Sequence, residues 1–485
     1  MMTRPTMNKR TMNIRIIPFF LPMLLLSGLT FGQVKQWSLQ ECIDIALEKN
    51  ITIKQNQLNY ASAELDKQSA MANFFPRINV SSSHSWNIGL NQNITTGLFE
   101  NVTTQFSSAG ANLGVDLYKG KQNFNRLHRA NLAILAQQYQ LEDISDNIAL
   151  LVANSFLQIM FNLEILGVQR GQLVVSLEEK KRTQVLIEAG VLVASDMFEL
   201  EANIATQKQV VIQSENNLRL SKITLAQLLL ITEYENFDIE FVNLDIPFSQ
   251  IMEESPKQIF EQALTNRSDI KLAVTNVEIA ETDLKLAKGN LQPSLQAFYG
   301  YSTRLSYSDR LIGTGVFENI QIGTVQGTGQ QVIRGIEQQK VVGPLPLADQ
   351  LGLNDGHNFG LQLNIPIFNG LLAKNNVKKS RINLERTKNV MEQQKLDLES
   401  TVNQAFNDTK GTYTFYEAAQ KTTQARLDAY KNAQKRFEAG VVNSFDYSQI
   451  KQRYETAVSE QVRAKYDYIF KLKVLEFYFG IPLEF

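Results

Sequence analysis

The chain has 485 residues, with 48 Lys and Arg against 49 Asp and Glu, for a formal charge of -1. Residues 1–32 hold four cations (Arg4, Lys9, Arg10, Arg15) and no acid, so the remainder carries 44 basic and 49 acidic groups. A mildly acidic chain does not suit a polyanion, and nucleic acid is not an expected partner. One cysteine excludes a disulfide framework within the chain, and with only three scattered histidines it argues against a His/Cys metal cage. A mean hydropathy of -0.19 fits neither a disordered tail nor a helical membrane bundle.

The first segment reads as a secretory signal over residues 1–32. Lys9, Arg10 and Arg15 precede the apolar run Ile16 to Leu26, and small residues follow to Gly32. The run is shorter than the roughly 20 apolar residues of a spanning helix. No cysteine stands at the expected cut. Cys42 lies beyond it on an amphipathic helix and reads as a small core residue.

An internal duplication organises the rest. At a shift of 217, residues 46–76 and 263–293 share 11 identities in 31 positions, among them Asn59 with Asn276, Asp66 with Asp283 and Pro76 with Pro293. Later the shift becomes 250: Gly110 meets Gly360, Gly120 meets Gly370, and Glu188-Ala189-Gly190-Val191 meets Glu438-Ala439-Gly440-Val441. The extra 33 residues fall between Pro293 and Gly360. The repeats are expected at 33–231 and 255–485, with a linker at 232–254.

Each repeat predicts the same elements. A helix (about 38–72 and 255–290) ends before Pro76 or Pro293, which cannot continue it. Two strands follow, at about 77–90 and 105–118, then at about 294–303 and 357–368. In all four, apolar residues such as Ile78, Val80, Leu113, Tyr299 and Leu361 alternate with small or polar ones such as Asn79, Asn112, Gly300 and Asn364. Between the later strands, residues 304–356 hold nine glycines and read as a flexible extracellular loop.

Strands of this length cross a bilayer when tilted. Four cannot close a barrel, since about eight is the minimum, and lipid does not tolerate an open edge. The chain is therefore expected to oligomerise. Helical hairpins complete each repeat, at about 121–230 and 371–478. Their first arms lack proline for so long that each reaches roughly 100 Å, and apolar residues recur at three- and four-residue steps, as in coiled coils. The arms turn at Gly190 and Gly440, which read as helix caps. No phosphate loop, HExxH or GxSxG motif is present, so no catalytic, cofactor-binding or metal-ligating residue is assigned and no enzyme is expected.

The duplicated layout and the twin Gly-Val…Asp tips resemble the TolC family of outer-membrane efflux ducts, over residues 37–483. The resemblance implies a mainly α protomer with membrane β. Three copies would form a 12-stranded β-barrel in outer-membrane lipid, continued by a periplasmic α-helical tunnel. It implies a periplasmic adaptor (membrane fusion) protein meeting Gly190, Val191, Gly440 and Val441, and an inner-membrane pump of RND or ABC type. The same resemblance places an aperture at Asp196, Asp446 and Gln449, where the family uses acidic rings; Gln449 departs from that pattern. The family's closing Arg and Tyr are replaced here by Val442 and Phe437, so its salt-bridge latch does not carry over to Asp196. The rival reading is a soluble periplasmic or surface coiled-coil scaffold without a pore.

Overall fold

The computed structural model describes residues 35–92, 97–242, 246 and 249–481; the signal expected over 1–32 lies outside them. Strand β1 (Gln36–Trp37) leads into α1 (Leu39–Lys49) and α2 (Ile51–Ala72). Strands β2 (Arg77–Gln92) and β3 (Phe99–Lys119) precede the long helix α3 (Gln122–Glu188) and its return α4 (Ser195–Leu228). Strand β4 (Asp238–Ile239) lies in the linker, and the second repeat opens with α5 (Pro256–Asn266) and α6 (Ser268–Gly289). Then come β5 (Ser294–Ser306), β6 (Arg310–Thr324), β7 (Gln331–Val342), α7 (Leu347–Leu353), β8 (Asp355–Asn364), α8 (Leu372–Glu438) and α9 (Ser444–Phe479).

The duplication recurs residue by residue. Ser38 and Ser255 each begin a helix with a capping box, closed by Glu41 and Gln258. Helices α3 and α8 both run 67 residues between matching positions. Each is entered through two left-handed residues, Gly120-Lys121 and Gly370-Leu371. The two hydrophobic clusters also use corresponding positions: Val152 and Leu225 in the first, Val402 and Leu475 in the second, all fully buried. Cys42 sits in the first cluster, where burial pushes its thiol up to about 12. Helix α3 contains a window apolar enough to cross a membrane by length and composition; its Val152, Phe156, Ile159 and Met160 lie in that same cluster.

Strands β2-β3-β5-β8 form one antiparallel sheet in that order. The register aligns Ile78, Leu113, Tyr299 and Phe359 across one face. On the other face it aligns Asn79, Asn112, Gly300 and Asn358. One side of the sheet is therefore apolar and the other small and polar, which is the pattern of a barrel wall between lipid and water.

Three expectations are corrected. The first helix of each repeat is two: Asn50 and Arg267 take extended backbone (ψ 129° and 132°), and Asn50 Oδ1 accepts from the amides of Thr52 and Ile53 to start α2. Residues 304–356 are not a plain loop. They hold the hairpin β6–β7 and the helix α7, whose Gln350 side chain bonds the backbone of Ser306 in both directions. The last strand stops at Asn364, not 368. Pro366 has no amide to donate, and among the described residues the far side of β8 has no ladder partner, whereas β3 is held by β5 as far as Lys119. The linker carries β4, paired parallel to β1, with Phe237 and Ile239 buried in the first core cluster.

Candidate functional site

The far ends of the two hairpins are built by the same backbone device. Gly190 and Gly440 take left-handed φ values of 75° and 69°. Their amides donate to the carbonyls of Ile187 and Phe437, while the amides of Val191 and Val441 reach back to Leu186 and Arg436. This is the paired 5→2 and 6→1 bonding that ends a helix at a glycine. The tips touch one another: a Cβ on Gly440 would lie 3.7 Å from Val191 Cγ1. Val191, Val193, Phe198, Val441 and Phe445 stay exposed around them. An exposed apolar group at a loop tip is a natural docking surface.

Just behind the tips, Phe437 and Tyr447 stack at 4.7 Å, with Leu192, Tyr430 and Val442 packed around them. Val442 and Phe437, expected to stand where the resemblance would place a latch, thus contribute to an apolar plug of side chains behind the tips. The three residues expected at an aperture each bond a different partner. Asp196 accepts a hydrogen bond of 2.6 Å from Ser444 Oγ and ties one tip to the other. Asp446 is exposed in the first turn of α9 and accepts from Asn443 Nδ2 at 3.0 Å. Gln449, also exposed, accepts from Arg453. Within one copy, therefore, Asp196 is part of a tip-to-tip link, while Asp446 and Gln449 face outward.

Above the plug runs a polar seam that sequence reasoning missed. It joins the first hairpin to α9. Lys451 Nζ donates to Glu179 Oε2 at 2.5 Å and to Ser176 Oγ at 2.6 Å. Tyr447 and Tyr430 hydroxyls donate to Glu179 Oε1. Gln207 Nε2 donates to the Glu455 carboxylate, Asn203 to Ser448, Gln169 to Ser459 and Tyr466 to Glu164. Burial, reinforced by the Glu179 charge, pushes the Tyr447 phenol far up, and burial pushes Tyr430 up to about 12. Both therefore remain hydrogen-bond donors. Burial also raises Glu455, against the pull of Lys451. No local sequence signal marks Glu179 or Lys451, because each is one charge in a long charged helix.

Among the described residues, no group of three or more His, Cys, Asp and Glu could hold a metal ion. What the arrangement offers is two rigid rods, joined by polar links and ending in an apolar tip, attached to a sheet with two free edges.

Residues 42–229 and 259–480 match the outer membrane efflux protein family. No curated protein matches the chain by sequence. Among solved structures, the outer-membrane channel OprN superposes with a TM-score of 0.71 at 15% identity, over 92% of this chain and 90% of that one. The CmeC outer membrane channel of Campylobacter jejuni gives 0.67 at 16%, over 91% and 85%. The outer membrane protein VceC of Vibrio cholerae gives 0.69 at 13%, over 92% and 97%. These likenesses establish the fold, and the family match spans both repeats: the chain is an outer-membrane duct protein and belongs to the outer membrane efflux protein family.

Proposed function

We propose that three copies of this chain form a 12-stranded barrel continued by a periplasmic helical tunnel, and that this duct conducts solutes passively. The pump that supplies the energy lies in the inner membrane and is of RND or ABC type. A periplasmic adaptor joins it to the tips at Gly190-Val191 and Gly440-Val441, in an efflux or type I secretion assembly. The observation that carries this reading is the pair of sheet edges. Strands β2 and β8 end the four-strand order, and their apolar residues Val80, Ile88, Phe359 and Leu361 are exposed. An edge in lipid leaves amides and carbonyls unpaired at several kcal/mol each, so the sheet has to close on further copies.

The geometry of the duct also bears on selectivity. The sheet face opposite the apolar one carries Asn79, Asn112, Gly300, Asn358 and Ser302. Arg77, Asp116 and Arg304 share that face, so the lining wets the lumen with charges of both signs and no shaped pocket, which suits a conduit whose cargo is chosen by its pump. Reconstitution in planar bilayers tests the reading. The purified protein should need detergent and should open steady aqueous conductances. A protein that stays dispersed in plain buffer and forms no pores is instead a coiled-coil scaffold.

A further inference from the structure

The trimeric reading does not say how one copy meets the next, but the duplication supplies an answer. Within the chain, sheet and adjoining helices of the two repeats join where β3 pairs with β5 and α3 lies along α6. In a closed ring, β8 and α8 of one copy take the places of β3 and α3, and β2 and α2 of the next take those of β5 and α6. The shifts of 250 and 217 then translate every pairing. The translation is accurate where it can be checked: Ile78 opposite Leu113 becomes Leu295 opposite Leu363, which is the observed pair.

Resting on the trimeric reading, we propose that copies join in the register of the internal joint, with Leu363 opposite the partner's Ser82 and Lys379 paired with the partner's Asp66. The first pairing translates Leu113 opposite Tyr299. The second translates the ion pair of Arg129 with Asp283, 2.6 Å apart between α3 and α6. Lys379 and Asp66 are both exposed in the single chain and carry the same charges as the residues they replace.

Burial supports the same joint. Ile51, Leu58 and Leu65 form a heptad stripe on α2, 62% to 70% exposed. Their counterparts on α6, Ser268, Thr275 and Thr282, are 1% to 8% exposed. Both α2 and α6 have a long helix of their own repeat beside them. The cover on α6 therefore comes from α3 across the joint, and the partner's α8 is the corresponding cover for α2. On α8, Leu372 and Ile382 are likewise open where Gln122 and Leu132 on α3 are closed. Apolar side chains thus stand at positions whose internal equivalents are buried, and a second copy is the occupant that fits.

The turns complete the match. A Cβ at Gly120 would lie 2.3 Å from the Gly289 carbonyl oxygen, so this turn needs glycine for close approach. Gly370 has the same left-handed backbone but open space beside it. The translation brings the partner's Ala72 there. It also sets Phe368 against the partner's Phe75, two exposed rings in place of the hydrogen bond from Tyr118 to Gln292.

Cysteine cross-linking in detergent-solubilised protein, with Cys42 replaced by alanine, tests the register. Tyr307 N donates to Gln105 O, so by strict alternation Asn112 and Gly300 form a non-hydrogen-bonded pair. Their translation is Gln362 with the partner's Ser83, close enough for a disulfide. Gln362→Cys with Ser83→Cys should give covalent trimers on oxidation. Pairing Gln362→Cys with Ser81→Cys or Ser85→Cys should not, because a two-residue slip moves the Cα by about 6.6 Å. Trimers that link at a slipped position, or at none of the three, overturn the register while the duct reading stands; monomers by light scattering overturn both. Asp66→Lys and Lys379→Asp should each lower the trimer fraction, by up to about fivefold, and the double swap should restore it. A double swap no better than either single change overturns the ion pair.

Discussion

Lys451 on α9 and Glu179 on α3 form an ion pair between the two hairpins, 2.5 Å from Nζ to Oε2, with 10% and 12% of their side chains exposed. A buried pair of this kind gains little over an apolar pair, but breaking it leaves an uncompensated charge. Its cost therefore depends on which partner is removed. Lys451→Met leaves the Glu179 carboxylate to the two tyrosine hydroxyls and should destabilise the protein by about 3–5 kcal/mol. Lys451→Met with Glu179→Leu removes both charges and should recover most of that loss. Urea denaturation of the four members of the cycle, with hydrogen exchange in α9, checks this; single and double variants of equal stability would exclude the pair as a structural element.

Glu455 supplies a pH dependence of definite sign. Burial raises its pKa above the ordinary glutamate value of 4.5, the charge of Glu179 adds to that, and Lys451 and Gln207 oppose it. A carboxylate raised in the folded state contributes stability below its unfolded pKa and loses it as pH rises through the folded value. At pH 7, above the unfolded value, burying Glu455 is therefore a net cost. Glu455→Gln should raise the melting temperature at pH 7, and the advantage should shrink as pH falls toward 4.5. A variant that melts below wild type at pH 7 would contradict this assignment.

The two entry turns separate folding from assembly. Gly120→Ala places a Cβ against the Gly289 carbonyl within one copy and adds the strain of a left-handed φ of 57°. A loss of about 2–3 kcal/mol in the folded protein is expected. Gly370→Ala has free space in the single chain and bears mainly the backbone strain of about 1–2 kcal/mol. Its larger effect should be on trimer recovery. Thermal unfolding and light scattering of both variants distinguish these outcomes.

Asp446 tests the aperture. If its copies form a narrow acidic ring, they concentrate cations there and raise one another's pKa. Asp446→Ala should then lower cation selectivity in planar bilayers. Unchanged selectivity and conductance would leave Asp446 as a first-turn acid favoured by the helix dipole.

Much of this architecture could be read from the residues because the chain states it twice. The shifts of 217 and 250 located both hairpins, all four sheet strands and the twin tips. The expectations that failed lack such a signal. No proline marks the breaks at Asn50 and Arg267; only the side chain of Asn50 serves as a cap, and asparagine occurs often elsewhere. The β6–β7 hairpin has no buried face, so its residues show no alternation tied to a core. The polar seam joins Glu179 to Lys451 across 272 positions, and one sequence cannot reveal which of many helical charges face each other. Tip glycines, by contrast, were legible because a left-handed cap restricts the residue type.

The central claim is that one copy is an unfinished wall. Light scattering of the detergent-solubilised protein, corrected for bound detergent, measures it most directly. The account predicts a protein mass of three chains, each the 54.9 kDa polypeptide or that polypeptide less a cleaved leader. A stable, monodisperse single chain would contradict it.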